Sequence, residues 1–118
     1  MTNEQPSKRQ LRIAEEIRRL LAVELNDLTE IFVNGDFLTI MKATISKDLR
    51  YCKVFFRCKI ENRAFFQAKL DSITNAVENL IYKKLHMRVR PEVHFVFDDT
   101  IIEREEILKI VEKNKGFL

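Results

Sequence analysis

Glycine occurs only twice in this chain of 118 residues, at Gly35 and Gly116, and histidine only twice, at His86 and His94. Two glycines so far apart cannot form the glycine-rich loop that wraps a nucleotide phosphate. Two histidines leave little for a catalytic triad, which needs a nucleophile, an imidazole and an orienting acid. His94 alternates with the apolar positions of its segment and is expected to face solvent or a partner. His86 stands inside a basic run, where a phosphate contact or a plain surface position fits better than base catalysis.

Cysteine is equally scarce. Cys52 and Cys58 lie in one alternating segment, which at about 3.3 Å per residue puts them roughly 20 Å apart, too far for a disulfide. Their spacing is not that of a zinc site either, and both belong to the apolar side of the segment, so core packing is expected. Asp98 and Asp99 are adjacent and would point to opposite faces of a strand, which suits entry into a helix at Thr100 better than a paired-carboxylate site. No apolar run approaches the roughly 18 residues of a membrane span, and MTNEQPSKRQ at the start holds no apolar stretch that could act as a signal. The expectation is a reduced, cytoplasmic protein without catalytic or metal constellation, and not an enzyme.

What is present suffices for one folded domain. Hydrophobic residues make up 46% and charged residues 33% of the chain, a mixture that supports a core and does not suit disorder. Ser7 and Gln10 match a capping box, and Ile13, Ile17, Leu20, Leu21 and Leu28 recur at helical spacing, predicting a helix over about residues 8–26. Residues 37–46 and 50–60 read as two strands joined by Ser46-Lys47-Asp48-Leu49. In the second, Cys52, Val54, Phe56 and Cys58 alternate with Lys53, Phe55, Arg57 and Lys59, giving one apolar face and one basic, aromatic-interrupted face.

Residues 62–86 carry a helical stripe through Phe66, Leu70, Ile73, Val77, Leu80, Ile81 and Leu85, weakest in helix propensity at Ser72-Ile73-Thr74-Asn75. Pro91 is expected to stop the helical region, and Val93, Phe95 and Phe97 then alternate through a third strand. Thr100 and Glu103 form a second capping-box pattern before a short final helix with Ile107, Leu108 and Val111. The expected fold class is α+β, with helices on one face of a three-stranded sheet.

The net charge of +3 conceals grouping. Lys42, Lys47, Arg50, Lys53, Arg57 and Lys59 face the single acid Asp48 between residues 42 and 59. Lys83, Lys84, His86, Arg88 and Arg90 follow between residues 79 and 91 with no acid, while Asp98, Asp99, Glu103, Glu105 and Glu106 gather near the end. On the first helix Lys8, Arg12 and Arg19 fall within about 40° of one another, opposite the apolar stripe. Basic stripes beside exposed aromatics suit a phosphate backbone, although solvated faces and guarded strand edges look similar in a sequence.

Three strings in this order resemble the bacterial ribosome-binding factor A family. They are Arg9-Gln10-Leu11-Arg12-Ile13-Ala14-Glu15-Glu16-Ile17-Arg18, then Ser46-Lys47-Asp48-Leu49 leading into Cys52-Lys53-Val54, and Arg88-Val89-Arg90-Pro91-Glu92-Val93-His94-Phe95 through Asp98-Asp99-Thr100. The resemblance spans about residues 8–112. It implies a KH-like (type II) single domain, α-β-β-α(kink)α-β-α, in which a helix–kink–helix replaces the G-x-x-G loop that the two glycines could not supply. It further implies binding to the small ribosomal subunit and its ribosomal RNA during late maturation, release from the mature particle, no cofactor and no small-molecule substrate.

The family's kink carries an Ala-x-Gly, which here corresponds to Ile73, Thr74 and Asn75. Asparagine is the non-glycine residue best suited to irregular backbone, so a kink is expected there. Candidate phosphate contacts are Arg9, Arg12 and Arg19, then Lys47 and Arg50, then Lys83, Lys84, Arg88 and Arg90. The domain is expected over residues 7–112, flanked by a flexible start at 1–6 and a tail at 113–118, and the chain is expected to act as a monomer with no membrane partner. A different reading, a protein–protein adaptor whose basic faces meet an acidic partner, fits the same charge pattern.

Overall fold

In the computed structural model of the chain, which describes residues 5–25 and 36–99, Ser7 and Gln10 start the first helix by capping each other. The Gln10 amide donates to Ser7 Oγ (3.1 Å) and the Ser7 amide to Gln10 Oε1 (3.0 Å). Helix α1 runs Lys8–Glu24 and buries Ala14, Ile17 and Leu21 along one stripe, the spacing of a helix packed on one side. Gln10 also donates from Nε2 to the carbonyl of Ile45 (3.0 Å), tying the start of the helix to the end of the first strand.

Strands β1 (Thr39–Ile45) and β2 (Tyr51–Arg57) pair antiparallel, from Thr39 opposite Arg57 to Ile45 opposite Cys52, with an irregularity between Ile40 and Lys42. A register shift of this kind is a β-bulge, with one more residue on one strand than on its partner. Both strands are shorter at each end than the spans 37–46 and 50–60. The turn between them closes on hydrogen bonds from Ser46 N to Tyr51 O and from Leu49 N to Ser46 O, both 2.9 Å. Beyond β2, a tight turn at Ile60–Asn62 leads into α2 (Arg63–Ser72) and α3 (Thr74–Lys84), and β3 (Glu92–Phe97) then pairs parallel with β2.

The sheet order is β1-β2-β3, with α1 against β1 and the other two helices against β3. This is the α-β-β-α-α-β order of the KH-like (type II) arrangement, on one face of a mixed sheet. Among the described residues no helix is long and apolar enough to cross a membrane. The final helix expected after Thr100 lies outside the described residues.

The core sits between the helices and the inner face of β2, where Cys52, Val54 and Phe56 are fully buried beside Ile17, Leu21, Leu70 and Ile81. Phe56 meets Phe97 edge-to-face at 5.7 Å. Burial pushes the Cys52 thiol up to about 12 and the Cys58 thiol up to about 11, so both act as small apolar groups.

The helical stretch is broken at Ile73, which has φ −109° and ψ 7°. Ser72 Oγ donates to the carbonyl of Lys69 (2.6 Å) and Thr74 Oγ1 to that of Leu70 (3.1 Å). Hydroxyls that bond backward compete with the regular ladder and give the freed carbonyls another partner. Asn75 is not the irregular residue: it lies within α3, and among the described residues the positive φ angles outside glycine belong to Leu49 (63°) and His86 (52°).

Pro91 does not stop the helix either. Helix α3 ends at Lys84, with the Met87 amide bonded to Tyr82 O (3.1 Å) and the His86 amide to Lys83 O (3.4 Å). That pair of bonds is a Schellman stop with His86 in the left-handed position usually held by glycine. Pro91 sits fully buried at the entry to β3.

Asp36 latches the two ends of the hairpin together. Its carboxylate accepts from the amides of Phe37 (2.9 Å) and Lys59 (2.5 Å) and from Asn62 Nδ2 (3.0 Å). Burial pushes its pKa up, but the hydrogen bonds from Asn62, Lys59 and Phe37 outweigh that and hold the carboxyl below its ordinary value of 3.8. A lowered folded-state value means the contribution is complete above the ordinary value and is lost as pH falls through the folded one. Asp36→Ala is expected to lower unfolding free energy by about 1–3 kcal/mol in urea at neutral pH. Asp36→Asn should differ from the native chain at neutral pH and approach it as the pH is taken below the ordinary carboxylate range.

Candidate functional site

Three elements meet at one end of the sheet and leave a groove of about 730 Å³ between them. Helix α1 contributes Arg9, Ile13 and Glu16, which stand on one face because residues three and four apart are neighbours on a helix. The β1–β2 turn contributes Lys47, Asp48, Leu49 and Arg50, and the segment after α3 contributes Leu85 through Val89. Ile13, Leu49, Leu85 and Met87 are half-buried against the core and form an apolar floor. Arg9, Lys47, Arg50, His86 and Arg88 are exposed around it.

The turn is rigid by its own bonding. Asp48 Oδ1 accepts from Ser46 Oγ (2.7 Å) and from the Arg50 amide (3.1 Å), and Ser46 Oγ accepts from the Tyr51 amide (3.0 Å). The Ser46 hydroxyl and the Arg50 amide hold the Asp48 carboxyl below its ordinary range. This bonding and the left-handed Leu49 fix the backbone from which Lys47 and Arg50 project. Leu49 and His86, the left-handed non-glycine residues among the described residues, both line the groove. Sparsely populated backbone conformations of this kind gather at functional sites.

Of the nine candidate phosphate contacts, the groove brings together Arg9, Lys47, Arg50 and Arg88. Arg12 and Arg19 stand exposed on α1 away from it. Arg19 Nε lies 3.1 Å from Glu15, which Arg18 also engages at 2.7 Å. The Arg18 hydrogen bond is the main cause holding the Glu15 carboxyl at about 2. Lys83 and Lys84 occupy the last turn of α3, where cations complement the negative end of the helix.

Arg90, although exposed, is engaged in a different task. Its Nη2 donates to the Asn75 carbonyl (3.2 Å), to Asn75 Oδ1 (3.1 Å) and to Glu78 Oε1 (3.0 Å), while Glu78 Oε2 accepts from the Val93 amide (2.8 Å). Asn75 and Arg90 thus brace the start of α3 against the start of β3. The brace was not visible in the sequence, where Asn75 reads as a backbone residue and Arg90 as a free cation. Glu16, Leu49 and Met87 were also missed as groove residues. Only their adjacency to the basic positions could have pointed to them.

Four basic side chains over an apolar floor, with Glu16 and Asp48 as the acids, can hold anionic oxygens and pack a flat apolar group. Among the described residues no group of three His, Cys, Asp or Glu side chains could hold a metal ion.

The family model described as ribosome-binding factor A matches residues 9–111. Ribosome-binding factor A of Shewanella sp. (strain ANA-3) is 31% identical over 104 residues, covering 85% of this chain and 70% of that protein. That of Shewanella frigidimarina (strain NCIMB 400) is 30% identical over 104 residues, covering 85% and 71%. Among solved structures, the solution NMR structure of a ribosome-binding factor A from Thermotoga maritima superposes with a TM-score of 0.64 at 28% identity, covering 79% of this chain and 90% of that one. The crystal structure of ribosome-binding factor A from Thermus thermophilus gives 0.62 at 20% identity, covering 74% and 93%. A homology model of Thermus thermophilus ribosome-binding factor A, fitted into the cryo-EM map of a complex of that factor with 30S, gives 0.59 at 19% identity, covering 75% and 94%.

The His86 stop makes a prediction about the groove wall. A left-handed residue with a Cβ costs about 1–2 kcal/mol, part of which glycine returns as lost chain entropy. His86→Gly is therefore expected to raise unfolding free energy by about 0.5–1 kcal/mol, read as a higher urea midpoint with an unchanged slope.

Proposed function

The chain belongs to the ribosome-binding factor A family, and from that membership we propose that it binds the small ribosomal subunit through its ribosomal RNA during late maturation and leaves the mature particle. The Thermus relative's complex with the 30S subunit supports the partner. The observation that carries the RNA reading is the convergence of Arg9, Lys47, Arg50 and Arg88, from three separate elements, on one groove. Solvated surface charge has no reason to converge in this way.

Each of these side chains acts as a charge or fork donor to phosphate oxygens. Arginine offers two parallel N–H donors, and lysine a point charge. Neutralising phosphates releases their counterions, so affinity is electrostatic and falls with salt. Such contacts fix position rather than read sequence. Arg12, Arg19, Lys83 and Lys84, outside the groove, act as longer-range attraction. Arg90 contributes through the brace that holds the segment carrying Arg88. Binding of this kind needs no chemical step and no cofactor, and the chain acts as a monomer in the cytoplasm.

Sedimentation of the full chain with purified small subunits tests the reading. The native protein is expected to co-migrate with free small subunits but not with assembled ribosomes, less so as salt rises. Lys47→Gln with Arg88→Gln should weaken binding at least about tenfold and lower the salt slope by roughly two, with folding unchanged. Undiminished co-migration of that double variant would remove the groove from the interface. Binding that survives nuclease treatment of the subunits would favour a protein partner instead.

A further inference from the structure

The groove leaves unused the face of the sheet turned away from the helices. Strand β2 sets Tyr51, Lys53, Phe55 and Arg57 on it at alternate positions. Cross-strand pairing adds Thr44 and His94 beside Lys53, and Lys42 and Val96 beside Phe55. Among the described residues no helix lies over it. Tyr51 is 56% exposed, and Lys42 and Lys53 are exposed. Lys42 Nζ stands 4.9 Å from the centre of the Phe55 ring. Glu92, opposite Tyr51, is engaged by His94 at 2.6 Å, and Asp98 and Asp99 line the far end of the face beside Lys42, Phe55 and Val96. The face therefore carries exposed Lys42 and Lys53 and half-buried Arg57 around the exposed Tyr51 ring and the half-buried Phe55 ring.

This face is continuous with the groove. Lys47 and Asp48 line both the groove and a second depression, of about 410 Å³, that Ser46 and Tyr51 complete. A chain leaving the groove at Lys47 meets Tyr51 next.

We propose that the outer face of the sheet is a second RNA-binding track, which takes an unpaired strand as it leaves the groove. One base stacks on Tyr51 and a later one against Phe55, while Lys53, Lys42 and Arg57 hold the phosphates between and beyond them. Alternate residues of a strand stand about 6.6–7 Å apart, a repeat that an extended single strand can follow. Stacking on an aromatic side chain tolerates any base, because every base has a π-face. A duplex cannot use the rings, since its bases are already stacked and paired, whereas unpaired RNA can splay them out. The lysines argue against a protein partner here, because lysine is depleted from protein–protein interfaces.

The inference rests on the RNA-binding reading above, and the two are separated by measuring the full chain against a fluorescent single-stranded dodecaribonucleotide of uridines and against a blunt RNA duplex. Tyr51→Ala is expected to weaken the single strand about tenfold, within the range for one stacked base, and to leave the duplex unchanged. Tyr51→Phe should retain the native affinity. Lys53→Gln should lower the single-strand salt slope by about one, and Lys53→Arg should restore it. The groove variant, Lys47→Gln with Arg88→Gln, should weaken both ligands. Urea midpoints like that of the native chain show that the exposed substitutions leave the fold intact.

If Tyr51→Ala and Lys53→Gln bind the single strand as the native chain does while the groove variant fails, the second track is overturned and the groove reading stands. If those two variants keep the oligonucleotide but lose small subunits, the face contacts a protein and the proposal is likewise overturned. A native chain that binds neither ligand removes the RNA-binding reading itself.

Discussion

The parallel pairing of β2 with β3 dictates where everything else can lie. Tyr51 opposes Glu92, so the two strands start at the same end of the sheet, and the Glu92 amide closes that end on the carbonyl of Arg50 (2.8 Å). The chain leaving β2 at the far end must therefore travel back along the sheet before β3 can begin, as every parallel connection must. Helices α2 and α3 make that return, and it delivers Leu85–Val89 beside the β1–β2 turn. Because β1 is antiparallel to β2, its last residue, Ile45, is at this end too, and Gln10 anchors the start of α1 to it. Three distant stretches of basic sequence meet because of strand direction.

Local rigidity then sharpens what topology brings together. The turn is held by Ser46 and Asp48, and the segment after α3 by the Schellman bonds around His86. Both place a residue with a side chain in left-handed backbone next to the groove. Looser turns would present the same charges with more conformational freedom to lose on binding. The guanidinium of Arg90, held by Asn75 and Glu78, supports the same segment from behind. The positive surface is thus built partly from cations without a bracing role and partly from one, Arg90, that is exposed yet tied to Asn75 and Glu78.

Much of the fold was legible because its signals are local and periodic. The alternation in β2 and β3, the stripe of α1 and the Ser7–Gln10 box depend on neighbours within a turn or two. The break at Ile73 fell within the stretch of lowest helix propensity. What the sequence hid depends on contacts across the chain. Asn75 looked like a residue chosen for irregular backbone and is instead an acceptor for a residue fifteen positions later. Pro91 looked like the helix stop, whereas the stop is an earlier hydrogen-bond pattern that histidine does not advertise. The same limit applies to the charges: nine basic candidates are equal in a sequence, and only the fold separates four in a groove from the rest.

The broken helix has a mechanical consequence. A break made by glycine would be a hinge, because that residue can take many backbone angles at little penalty. Here the break is centred on a β-branched isoleucine, the hydroxyls on either side are tied back to Lys69 and Leu70, and the Arg90 brace spans from α3 to the start of β3. Such a joint is an elbow set at one angle. With Ser72 and Thr74 tied back across the break and Glu78 bonded to both Arg90 and the Val93 amide, α3 is fastened to β3 as well as to α2. The two helices should therefore keep their angle when the groove wall is loaded.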